Sequence, residues 1–108
     1  MKGLPGNMGQ FMKEAQKMQE RMAAVEEELV QTTVEGTSGG GMVSVTSNGK
    51  QEVLKIRIDP QVVDKAEVEM LEDLVLAAVN DAHTKAAELA RQKMGTVTGG
   101  LGGLPGLF

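Results

Sequence analysis

The chain has 108 residues, of which 41% are hydrophobic but only 2% aromatic, with no cysteine and a formal net charge of −4. That length is one domain with a thin core, so a core shared between copies is the expected remedy; the missing cysteines exclude a disulfide framework, thiolate chemistry and a zinc ribbon. No apolar run approaches a membrane span, the leading MKGLPGNMGQF lacks the apolar stretch of a secretory signal, and the acidic balance fits a soluble cytosolic protein better than a strongly basic nucleic-acid binder.

Residues 1–9 hold three glycines and a proline and are expected to form a flexible arm. From Met8 the apolar positions fall at Phe11, Ala15, Met18, Met22, Val25 and Leu29, in alternating steps of three and four. This is the seam of a packed or coiled helix over 8–30, roughly 34 Å long at ~1.5 Å per residue. So narrow a stripe serves one neighbour, and part of the helix is expected to project from the body. Residues 30–35, VQTTVE, alternate Val30, Thr32 and Val34 with other polar positions and read as a first strand, followed by a loop over Gly36–Gly41.

The stretch 42–60, MVSVTSNGKQEVLKIRIDP, organises what comes before and after it. Val43 and Val45 alternate with polar residues, as do Leu54, Ile56 and Ile58, and Asn48-Gly49 between them predicts a hairpin closed by a type I′ turn. Asp59-Pro60 then starts a short helical turn, because Asp caps it and Pro has no amide proton to leave unpaired. A second long helix follows over Ala66–Met94, with Val68, Leu71, Val75, Ala78, Ala82, Ala86 and Leu89 at helical spacing and Gly95 as its C-cap. The expected fold class is α+β: long N-terminal helix, three-stranded antiparallel meander, short helical turn, long C-terminal helix. Both helices are expected to cover the apolar face of the sheet. Residues 10–94 form the domain, and 95–108 a Gly-rich flexible tail.

Little here suggests catalysis. His83 is the single histidine, with Asp81 near it, and no second His or Cys completes a metal site or a nucleophile–base pair. Met18 and Met22 read as core filler rather than soft-metal ligands, and Asn80-Asp81 as a solvated face. Glu67, Glu69, Glu72 and Asp73 lie where a helix N-terminus favours negative charge. The Gly-rich loop and tail lack the GxxxxGK[ST] pattern of a phosphate loop. No cofactor, metal, membrane or small-molecule substrate is expected.

Lys13, Lys17 and Arg21 stand one turn apart along the first helix, where like charges cost about 0.2–0.5 kcal/mol per pair. A polyanion along that row would lift the cost and release counterions. Glu14 and Glu20 are each three residues from Lys17, so an ordinary solvated salt-bridge face is the more economical reading of these residues alone. Lys85, Arg91 and Lys93 form a sparser group in the last helix. Residues 1–25 carry four basic and two acidic side chains, a net +2 that leaves −6 for the remainder.

Five segments resemble the YbaB/EbfC family of bacterial nucleoid-associated proteins: FMKEAQKMQERM (11–22), GGGMVSVTSNGK (39–50), IRIDP (56–60), EMLEDLVLAAVNDA (69–82) and KMGTVTGGLGGLPG (93–106). They span nearly the whole chain in family order. The resemblance implies an intertwined homodimer with protruding, tweezer-like helices that binds duplex DNA with low sequence specificity. It also implies a cytoplasmic, nucleoid-bound protein that affects nucleoid organisation or gene expression, with no catalytic residues. Carried onto this chain, the family's DNA contact falls on Lys13, Lys17 and Arg21, and more weakly on Lys85, Arg91 and Lys93. The competing expectation is a protein–protein adaptor that docks a partner on its Met-rich seam without touching DNA.

Overall fold

The structure is a computed structural model that describes residues 8–97. Helix α1 (Met8–Gln31) leads into a meander of β1 (Thr33–Ser38), β2 (Val43–Asn48) and β3 (Val53–Ile58), and helix α2 (Val68–Val97) closes the chain. All pairings are antiparallel in the order β1-β2-β3. The α+β class and element order match the sequence expectation. Of the arm expected over 1–9, Met8 and Gly9 are helical; of the tail expected from 95, Gly95–Val97 belong to α2. The rest of both segments lies outside the described residues.

The core is built by α2 lying across β1 and β2. Val43 and Val45 of β2 and Ala78 and Ala82 of α2 are fully buried together, with Leu74, Val75 and Val79 packed around them. Register places Gly36 beside Val45 and Ser38 beside Val43 on this inner face. Apart from the half-buried Val34, β1 therefore presents little side-chain bulk to the helix. A Cβ at Gly36 would stand 2.2 Å from the Ala82 backbone nitrogen. This is why a glycine sits within the strand and why α2 has alanine at one-turn intervals.

Four local expectations need correction. The first strand does not begin at Val30: α1 continues to Gln31, where the Thr32 amide and hydroxyl both donate to the Glu28 carbonyl. β1 instead extends through Gly36–Ser38, leaving a loop of Gly39–Gly41, all three at positive φ. The hairpin exists, but its turn is longer than type I′. Asn48 Oδ1 accepts from the amides of Lys50 and Glu52, and the only positive φ in the turn is at Gln51. Gly95 does not stop α2, which runs on to Val97. The Asp59 cap does form: its carboxylate accepts the Gln61 amide ahead of a 3₁₀ turn over Pro60–Val62.

The fifth correction carries more weight. Among the described residues, only α2 covers the face of the sheet. Ile56 and Ile58 share the inner face with Val45 and Val43, yet they remain 45% and 37% exposed because α2 crosses the other two strands. α1 touches the sheet only at the hairpin turn, where the Gly49 amide donates to the carbonyls of Leu29 and Thr32. Its base packs on the end of α2, Val25 and Leu29 against Leu89, Ala90 and Met94. The rest of α1 projects, as the narrow seam predicts. The molecule spans 78 × 26 × 17 Å with a radius of gyration of 21.1 Å, against about 13 Å for a compact chain of about 100 residues.

Candidate nucleic-acid interface

The projecting part of α1 carries the row Lys13, Lys17 and Arg21. All three side chains are exposed, and none makes a hydrogen bond or ion pair among the described residues. Four-residue spacing sets them ~6 Å apart along the axis on one side of the rod. The row therefore keeps its charge for an external partner. Its base is fixed by Val25 and Leu29 and by the Lys93–Glu28 ion pair, so the rod's direction is tied to α2.

The α2 cations are placed differently. Lys93 is engaged by Glu28. Lys85 Nζ lies 3.2 Å from Asp81 Oδ2 and donates to the Glu35 carbonyl at 3.0 Å. Arg91 is exposed and has no partner among the described residues. The structure thus brings Lys13, Lys17 and Arg21 into one free row, while giving Lys85 and Lys93 internal partners.

The sequence places Asp81 on a solvated face, but in the structure its role is internal. Its carboxylate accepts the Thr37 amide at 3.0 Å, which with the Lys85 amine holds its pKa below the ordinary 3.8. Together Asp81 and Lys85 occupy backbone groups on the outer edge of β1, from Glu35 and Thr37. No local signal could reveal this, since the pairs are 44 and 50 residues apart. A free strand edge is a template for pairing with another chain; here one edge of the sheet is engaged, and among the described residues nothing pairs with the edge at β3.

Beside that edge lies an open groove of about 480 Å³ between β3 and α2, lined by the apolar Ile58, Val68, Leu71, Val75, Leu76 and Val79 together with Glu72. Leu76 is 59% exposed and Val68 53%. A contiguous apolar surface of this kind marks an association site. His83 is half-buried, its carbonyl accepting from the Gln51 side chain. Among the described residues, no three His, Cys, Asp or Glu side chains gather as metal ligands, and no helix is long and apolar enough to cross a membrane.

The sequence matches the YbaB/EbfC DNA-binding family over residues 4–101. It is 54% identical over 108 residues to nucleoid-associated protein TTE0040 of Caldanaerobacter subterraneus, covering 98% of this chain and 96% of that one. A nucleoid-associated protein of Ruminiclostridium cellulolyticum is 51% identical over 106 residues, covering 98% and 92%. Among solved structures, the uncharacterized protein HP0035 from Helicobacter pylori superposes with a TM-score of 0.70 at 27% identity, covering 82% of this chain and 92% of that one.

Proposed function

Because the chain belongs to the YbaB/EbfC DNA-binding family, we propose that it is a nucleoid-associated protein that grips duplex DNA between the α1 rods of a homodimer. The family is one of DNA-binding proteins, not enzymes. The observation that carries the reading is the free cationic row of Lys13, Lys17 and Arg21 on a projecting helix, in a chain whose charge is otherwise acidic. An acidic protein binds DNA when its cations are grouped and its anions stand elsewhere.

The dimer rests on the groove between β3 and α2. A second copy seated there buries the apolar residues that a single chain leaves wet, and it does so beside the one sheet edge free to pair. The base of each α1 is anchored on its own α2, so joining two bodies at this groove holds two rods at a fixed separation. Arg91 adds a weaker contact near their roots. Phosphate contacts of this kind carry no sequence information, so specificity is low. The protein works at the nucleoid in the cytoplasm, altering DNA conformation and through it nucleoid organisation or gene expression.

The test is a gel shift with random-sequence duplex at low salt. The combined change Lys13→Ala, Lys17→Ala and Arg21→Ala is expected to weaken binding at least tenfold while leaving a folded dimer. Undiminished retention by this variant refutes the assignment. With three cations on each of two rods, the slope of log K against log salt should be no steeper than about −5.

A further inference from the structure

The apolar seam of α1 runs on past the point where α2 covers it. Val25 and Leu29 are buried at the base, but above them Met22 is 39% exposed and Phe11 70%, with Met12 at the seam's border 65% exposed. At 3.6 residues per turn, this seam is turned about 120° away from the row of Lys13, Lys17 and Arg21. The rod thus has two working faces, one cationic and one apolar, and DNA on the first leaves the second uncovered.

We propose that the exposed seam is a homotypic docking surface, on which the α1 rods of two molecules pair antiparallel, dimer to dimer. The spacing specifies the register. Phe11 lies over Met22 of the second copy and Ala15 over Met18, each contact occurring twice about a twofold axis. In that register Glu14 and Arg21, which flank the seam on one side, face each other across the pair, making two reciprocal ion pairs. Met12 lies against Gln19 on the other flank. A parallel pairing would set Glu14 against neutral Gln19 and would need Val25, which α2 already covers. The antiparallel register is centred between exposed Ala15 and Met18, which is half-buried against the Val25 and Leu29 cluster, so the pair begins where the cover at the base gives out.

The interface is short, so the affinity is low in free solution and rises where dimers are concentrated along DNA. Lys13 and Lys17 remain turned outward in the pair, while Arg21, which borders both faces, is taken from the DNA row by Glu14 of the second copy. The consequence for DNA rests on the function proposed above: paired rods on two duplexes bridge them, and do not merely coat each one.

The experiment uses the full chain without DNA, following sedimentation over a rising concentration range. Wild type is expected to associate beyond the dimer. Glu14→Arg alone sets arginine against arginine, and Arg21→Glu alone sets glutamate against glutamate. Each should weaken association about tenfold. An equal mixture of the two variants restores complementary pairs and should recover the wild-type behaviour. Phe11→Ala, at an exposed position that cannot unfold the domain, should weaken association by a similar factor. A mixture no better than its components, or wild-type association unaffected by Phe11→Ala, overturns the proposal. A protein that obeys the mixing rule but fails to retain duplex DNA refutes the DNA reading and leaves the docking surface standing.

Discussion

The two outer strands of one small sheet have opposite fates. β1 has Val34, Gly36 and Ser38 on its inner face, lies under α2, and has outer-edge backbone groups held by Asp81 and Lys85. β3 has isoleucines on the same face, yet no helix covers it and its edge is bare. The more apolar strand is the more exposed one. Side-chain bulk explains the difference: α2 approaches closest where Gly36 removes the Cβ, and a helix seated there is too narrow to reach the third strand. The strand that completes the monomer fold is the small one, and the strand left for assembly is the greasy one.

Gly36→Val would break the closed side. Its side chain meets helix backbone that cannot move aside, so a loss of about 3 kcal/mol or more is expected in chemical denaturation. At the root of the rod, Leu29→Ala should cost about 2–3 kcal/mol, because this side chain is nearly fully buried against the end of α2. The same substitution should loosen the rod before it melts the sheet, which amide exchange would detect in α1 first.

On the open side the expected effect is on assembly. Leu76→Glu places a charge in the groove of an otherwise folded chain, and the dimer's dissociation constant should rise at least tenfold by light scattering, with the unfolding cooperativity of the chain kept. A variant that unfolds like Gly36→Val would show that the groove belongs to the monomer core.

Asp81→Asn is the mildest change, a small drop in Tm at neutral pH. Asp81 titrates below its unfolded value because the Thr37 amide and then Lys85 favour the carboxylate. Its contribution is therefore present above the unfolded value of 3.8 and fades as pH falls through the lower folded one. The Tm gap between wild type and Asp81→Asn should begin to narrow only as the pH falls below about 4, and shrink further as it passes the lower folded value. A gap that does not narrow at all as the pH is lowered from 7 through this range would mean that the aspartate acts by shape and not by charge.

Local chemistry alone was enough to read both helices, the hairpin, the Asp59-Pro60 cap and the projection of α1, because periodicity and capping act within a few residues. The alternation at Val30, Thr32 and Val34 misled, since a helix already propagating through Glu28 added another turn more readily than a strand could nucleate there. The Lys13, Lys17 and Arg21 row was visible as a spacing. That these cations are free while Lys85 and Lys93 are engaged was not visible, since their partners come from distant segments. Which strand α2 covers was decided only in three dimensions, by competition between Gly36 and the isoleucines of β3 for one helix face. A sequence marks which side chains need cover; only packing decides which of them a single chain leaves for something else.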